Sequence, residues 1–514
     1  MQDDALGQRS DKAIGSRVLK GAALMVIARL GVRGMSLLNI IFLARLLNPH
    51  DYGIAALAMS MVTLLQTLSD VRVNAAVLHL RELTVAHLDV GFTLTLARGI
   101  LVAAALLFGA QFFAEFSRSP ALVDPLRALA IVPILDGLKN PRFVLFQRNI
   151  DFSMEFRRTL VAAVLGAIVM LTAALVLRNY WAFIASTITL RGAQSALTYY
   201  RVPSRFRISL THWRQFASFG GWLSLAGILE HVRVGFGPNF LIGRFLGSTG
   251  LGLLSVAQTL SATVTRELSM PLQQAISPGL AAIAHDRPRL RAGFRDAQSM
   301  IFGLIFPLGV GLAAIAPDLV LLVAGPKWTA AVPLVRMLAP FYGFSLLNAG
   351  SNGLAQAMHR TRLLFERNLI ISLLVLPPLW VASANFGLYW AGAAIAFGIL
   401  VETVLTMRMA ARLVESPSFE PITTNLRTLA AALTMAAALI SFGPSHETTT
   451  AQLVPAVMLR VAIGLVIHCI VLFSLWRLQG KPRGFEIKVL TVLETRAPSL
   501  LPITHFIRGQ RTRA

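Results

Sequence analysis

Apolar residues run along this chain in blocks of about twenty, parted by short polar turns, and that pattern predicts bilayer-spanning helices. A helix needs about twenty mainly apolar residues to cross the hydrocarbon core. The blocks fall at 18–46, 52–78, 91–113, 121–140, 159–177, 180–200, 216–245, 251–269, 297–323, 331–357, 364–384, 388–411, 426–443 and 456–476. Basic stretches interrupt them near 79–90, 141–158, 201–215, 270–296 and 412–425. The pattern predicts an all-α membrane protein of about fourteen transmembrane helices. Residues 1–17 mix acidic and basic side chains, and the long run after them carries Arg29 and Arg33. It therefore reads as an uncleaved first span rather than a signal segment.

The blocks repeat. At an offset of 209, Tyr180-Trp181 meets Tyr389-Trp390, Arg127 meets Arg336, and Arg158 meets Arg367. Earlier in each copy, Arg45 with Gly53 meets Arg244 with Gly252 at offset 199, while Arg33 and Asn39 meet Arg233 and Asn239 at offset 200. Leucine or alanine matches between apolar helices mean nothing, but Arg, Asn, Gly and Tyr-Trp in the same order point to duplication. Each copy holds six spans, an even number, so the copies keep one orientation. They then form two six-helix bundles related by a pseudo-two-fold axis along the membrane normal. The predicted organisation is a cytoplasmic N-terminus at 1–17, bundles at 18–200 and 216–411, and cytoplasmic linkers at 201–215 and 412–425. A C-terminal helix pair at 426–477 and a basic cytoplasmic tail at 478–514 complete it.

Composition agrees with a lipid solvent: 55% of the 514 residues are hydrophobic and 14% are charged, against about a quarter charged in soluble domains. The net charge of +23 suggests nucleic acid at first sight. Its distribution argues for a membrane instead. Of the 47 Lys and Arg residues, 35 lie on or toward one side of the predicted layout, 5 on or toward the other and 7 deeper inside spans. By the positive-inside rule both termini are expected in the cytoplasm. A reporter active only outside the cytoplasm should then be silent when fused after Arg412 and active within 444–454. The opposite pattern would invert the orientation. The single cysteine, Cys469, excludes an intramolecular disulfide.

Three motifs carry a family resemblance. Leu43-Ala44-Arg45-Leu46-Leu47-Asn48-Pro49-His50-Asp51-Tyr52-Gly53 closes the first hairpin. Phe146-Gln147-Arg148-Asn149-Ile150-Asp151-Phe152 follows the fourth span, and Gly325-Pro326-Lys327-Trp328 precedes the tenth. In order and spacing they resemble the Wzx-type oligosaccharide flippases of the multidrug/oligosaccharidyl-lipid/polysaccharide exporter superfamily, over roughly residues 15–415. The resemblance implies that polyprenyl-diphosphate-linked oligosaccharide repeat units move from the inner to the outer leaflet. It also implies ion-gradient coupling and work beside a polysaccharide polymerase and a chain-length regulator. Two other readings stay open: a cation or drug antiporter of the same fold, and a non-transporting membrane scaffold of a polysaccharide assembly complex.

Catalytic motifs are missing. The sequence has no phosphate-cradling G-x-x-x-x-G-K-[ST], no H-E-x-x-H, no G-x-S-x-G and no Cys/His metal spacing. It predicts no enzyme, no cofactor, no metal and no nucleic-acid partner. Charges inside spans are the informative feature. An Arg near the bilayer centre costs roughly 2.5–3.5 kcal/mol on insertion scales, so it is expected to face protein or water. Arg29 and Arg33 share a helix face four residues apart, and Glu230 and Arg233 stand three apart in the matching helix. Guanidinium pairs phosphate oxygens through a fork, so Arg29, Arg33, Arg233, Arg336 and Arg127 are candidates for a diphosphate. Arg127, Arg336 and Arg460 can equally be read as snorkelling or capping helix ends. Glu402 and Glu230 are candidates for proton coupling, and an arginine partner is the plainer reading of Glu402. Pro307, Pro317, Pro340, Pro377 and Pro378 should kink their spans.

Overall fold

The computed structural model describes residues 31–32, 34–35, 39, 41–69, 84–148, 153–200, 202, 207–211, 221–283, 285–358, 360–445, 450–481 and 484–487. All regular structure among them is helical. Nine helices among the described residues are long and apolar enough to cross a membrane, one of them running through predicted spans seven and eight. The predicted spans without such a helix are the first, mostly outside the described residues, the fourth, which is broken, and the sixth and thirteenth, which are short. The chain divides into two compact units, Met1–Gly252 and Leu253–Ala514.

In the first unit, α1 (Pro49–Leu68), α2 (Val85–Phe116), α3 (Val123–Leu129), α4 (Ile131–Gly137), α5 (Ser153–Leu177) and α6 (Trp181–Ala196) precede α7 (Gly221–His231). A π-helical turn, Val232–Phe236, joins α7 to α8 (Gly237–Ala282), which Gly247 interrupts at φ +74°. The first hairpin motif has a local reason. Asn48 donates its backbone N–H to the Asp51 carboxylate at 3.3 Å, and Pro49 opens α1, where no N–H is needed. The sequence predicts one span over 121–140, but the chain breaks at Ala130 between α3 and α4. Pro133 cannot donate to the carbonyl of Leu129, and the helix restarts around it. α4 then crosses α2 at close range. A methyl group at Gly99 would overlap the carbonyl of Pro133, and one at Gly137 would stand 2.8 Å from the carbonyl of Thr95. Small residues let helices approach this closely in lipid. α5 pairs with α6, where Ser186 donates to the Gly166 carbonyl at 2.8 Å.

The second unit is organised on α9 (Arg287–Ala314). It continues through α10 (Ala316–Val323), α11 (Val332–Phe344), α12 (Ser351–Ala357), α13 (Thr361–Asn385), α14 (Leu388–Val414), α15 (Leu426–Ser441) and α16 (Thr450–Leu478). Phe302, Ile305 and Phe306 of α9 meet Leu347, Met407, Met435 and Leu439 in one buried cluster. The C-terminal pair α15–α16 therefore packs on α9. Gly309 of α9 meets α11 as Gly99 meets α4: its methyl would stand 2.8 Å from the Ala339 carbonyl. Both copies thus have a glycine at a close helix crossing, although neither the glycines nor the carbonyls they face stand at the repeat offset of 209. The motif at 325–328 also has a packing reason. Gly325 takes φ +91°, Pro326 opens a 3₁₀ turn, and Trp328 is fully buried.

The prolines divide by position. Pro317 starts α10 rather than bending α9, whereas Pro307, Pro340, Pro377 and Pro378 lie inside continuous helices. The predicted span 331–357 is interrupted by a 3₁₀ turn at Ser345–Asn348 and by Gly350 at φ +79°.

Candidate functional site

Arg233 is the candidate that the structure buries, at 5% exposure. It sits in the π-helical turn between α7 and α8. A π turn carries one extra residue, which re-aims the side chains around it, and such turns gather at functional sites. Glu230, three residues earlier, is exposed, so the two charges that spacing made neighbours occupy different surroundings. The rest of α7 and the π turn pack against α1 inside the first unit.

The other candidates are dispersed. Arg29 and Arg33 lie outside the described residues. Arg127 on α3 and Arg336 on α11 are both exposed, so the repeat-matched pair shares one environment. Glu402 is half-buried on α14, and the half-buried Tyr342 of α11 lies within electrostatic reach of both Glu402 and Arg266.

Four helix ends in the first unit meet in a charged cluster. Asp136, at the end of α4, accepts from Lys139 Nζ at 2.5 Å and from Gln66 Nε2 of α1 at 3.1 Å, with Arg191 of α6 at 3.8 Å. Beside it on α5, Arg158 donates to Glu155 at 2.5 Å and lies over the Phe143 ring. Its repeat partner Arg367 is buried, at 7% exposure, where Arg158 is half-buried, and donates to Asn352 at 2.8 Å and Asn368 at 2.9 Å. The second copy keeps the arginine, and two amide oxygens accept from it.

Three interactions have no simple sequence signal. Arg460 of α16 pairs with Asp318 of α10, which also accepts from Ser445 N and Oγ at 3.0 and 2.9 Å. Arg427 forks onto Glu486 at 2.7 and 3.2 Å, with Glu486 only 2% exposed. Phe485 next to it presses on Gly303, where an added methyl would meet the ring at 2.6 Å. Each contact joins residues 59 to 182 positions apart, between elements that neither periodicity nor spacing brings together.

Comparison with known proteins fits this arrangement. The lipopolysaccharide biosynthesis protein WzxC of Escherichia coli (strain K12) is 22% identical over 405 residues, covering 77% of this chain and 80% of its own. The succinoglycan biosynthesis transport protein ExoT of Rhizobium meliloti (strain 1021) is 22% identical over 327 residues, covering 63% of this chain and 65% of its own. Among solved structures, the lipid II flippase MurJ in an inward closed conformation superposes with a TM-score of 0.69 at 13% identity, over 88% of this chain and 99% of its own. That likeness shows a shared fold. The model of a family described as polysaccharide biosynthesis protein matches residues 42–333, more than half of the sequence, and the chain belongs to that family.

Proposed function

We propose that this chain is a flippase, carrying polyprenyl-diphosphate-linked oligosaccharide repeat units from the inner to the outer leaflet of the bacterial inner membrane. The product is an exopolysaccharide, capsule or O-antigen. Both termini face the cytoplasm, and bundles 18–200 and 216–411 form the transport body. Its working partners are a polysaccharide polymerase and a chain-length regulator. The observation that supports this reading most is a buried guanidinium, Arg233, on a π turn in a chain of the polysaccharide biosynthesis family. A buried arginine suits a diphosphate, whose oxygens accept its forked donors, and repels a cationic drug. Arg29 and Arg33 complete the phosphate-binding group, with Arg127 and Arg336 as further contacts. Glu402 or Glu230 carries a coupling proton.

Deletion of the gene tests the proposal. One surface or secreted polysaccharide should vanish, lipid-linked repeat units should accumulate on the inner leaflet, and sensitivity to cationic dyes should not change. Normal polysaccharide together with new dye sensitivity would establish a cation exporter instead.

A further inference from the structure

In the second unit, chain that follows the bundle straps one face of α9. Arg287, Arg291, Arg295, Ser299 and Gly303 stand at intervals of four along α9, a row that one helix surface presents. Arg287 donates to the Leu413 carbonyl near the end of α14 at 2.6 Å. Arg291 lies 3.3 Å and Arg295 3.7 Å from the Glu420 carboxylate, and the Ser299 hydroxyl donates to Asn425 Oδ1 at 3.0 Å. The row ends on Gly303. There the ring of Phe485, from the segment after α16, takes the place of the missing side chain: a methyl would meet ring carbons at 2.6, 2.7 and 2.9 Å.

The tail segment makes this contact on a built footing. Arg427, at the start of α15, forks onto the buried Glu486 and donates to Gln479 at 2.8 Å. Gly484 lies against the same pair: a methyl there would stand 2.6 Å from Glu486 Oε2 and 2.8 Å from Arg427 Nη2. Gly484, Phe485 and Glu486 thus each meet a requirement of their own, which a slack tail would not impose. The place where the ring docks is also mechanically distinctive. Pro307, inside α9, has no N–H to give the Gly303 carbonyl four residues earlier, and glycine is itself a poor helix former. Phe485 covers α9 at the level where its backbone lacks one of its own hydrogen bonds, the kind of place where helices bend.

We propose that residues 484–487 are a releasable plug on the proline hinge of α9. Seated, the plug fixes α9 against bending between Gly303 and Pro307, and transport requires it to leave its seat and return. The inference rests on the flippase reading for what is transported, while the plug and its seat lie wholly within the second unit. Two features mark a plug rather than a further piece of core. The apolar cluster around Met435 and Leu439 already holds α15 and α16 on α9, so what the tail segment adds is its hold on the hinge. The seat is closed by one ring and one ion pair carried on a short segment, so it opens without unpacking a transmembrane helix.

Locking the plug and removing it test this from opposite sides. In a Cys469→Ala background, Arg427→Cys and Glu486→Cys would be joined by a short bifunctional methanethiosulfonate in inverted membrane vesicles of the producing strain. Transport is read as the fraction of endogenous lipid-linked oligosaccharide, labelled from sugar nucleotides, that becomes protected from external periodate. Protection in wild-type vesicles, lost in those of the deletion strain, reads the flippase function by itself. Cross-linking should lower the rate at least tenfold and dithiothreitol should restore it, while each single-cysteine variant treated alike keeps its rate. Undiminished transport by fully cross-linked protein would make the contact a static anchor and overturn the plug. Two maleimide-reactive thiols that fail to cross-link would overturn the seat itself. In the second arm, Phe485→Ala should melt below wild type yet transport at least as fast, and Gly303→Ala, whose methyl evicts the ring, should do the same. Together they should melt no lower than Phe485→Ala alone, since both remove one contact. Transport that falls in step with Tm would also overturn the plug.

Discussion

Replacing Arg33 and Arg233 together by alanine should abolish polysaccharide export while leaving membrane levels of the protein normal. Arg233 is buried on the π turn, and Arg33 is its counterpart at offset 200. Pseudo-two-fold symmetry would bring the pair to one anionic group. A hydrogen bond to a charged partner contributes about 1.5–3 kcal/mol, so each single loss should weaken phosphate binding roughly ten- to a hundredfold. Arg29, one turn before Arg33, should behave as a third member. Lysine at any of the three should rescue only in part, since it keeps the charge but not the fork. Arg127→Ala and Arg336→Ala, at exposed positions, should cost much less. Wild-type export from the Arg33→Ala, Arg233→Ala double variant would dismiss the phosphate role and leave these arginines to the packing of their own helices.

The architecture was legible because lipid imposes one dominant rule, the twenty-residue apolar block, and the chain obeys it nearly throughout. Where it fails, the cause is local and identifiable. Pro133 splits the fourth predicted span, and Gly350 with a 3₁₀ turn splits the tenth. Both breaks interrupt runs that remain apolar, so hydropathy could not register them. Gly247 shows the converse. The turn expected between 245 and 251 shrinks to one residue in the left-handed region, and the helix either side reads as continuous.

The duplication was legible for a different reason. Residues with backbone or charge requirements recur at fixed offsets, and several of those requirements can now be stated. Gly53 and Gly252 match because each faces a backbone carbonyl. Arg158 and Arg367 match as arginines with dissimilar acceptors, the first half-buried and the second buried. Offsets identified such pairs without revealing what they touch. Partner identity depends on which helix lies alongside, and that information is spread over the whole packing. The Asp136 cluster draws on α1, α4 and α6 at once, so sequence alone could mark Asp136 as an acid within a span and nothing more. Arg460, read from sequence as snorkelling or capping a helix end, is instead paired with Asp318.

Asp318→Ala should be the most destabilising single change in the second unit. The Asp318 side chain is 3% exposed and that of Arg460 is 15% exposed, so both charges are largely withdrawn from solvent. Asp318 accepts from the Arg460 guanidinium and from the Ser445 backbone and hydroxyl, which joins α10 to α16 and to the turn after α15. Removing one partner of a buried pair leaves the other charge uncompensated, at a cost of about 3–5 kcal/mol. For a protein of this size that corresponds to a fall in Tm on the order of 5 °C in detergent. Asp318→Asn should lose less, because the amide oxygen still accepts from Ser445. Joint replacement of Asp318 and Arg460 by leucine should recover most of the loss, since an apolar pair of similar volume demands no charge compensation. The comparison is a thermal melt of the purified proteins at equal detergent concentration. An Asp318→Ala protein melting within about 1 °C of wild type would mean that the pair is solvated and that the C-terminal helices are held by the apolar cluster around Met435 and Leu439 alone.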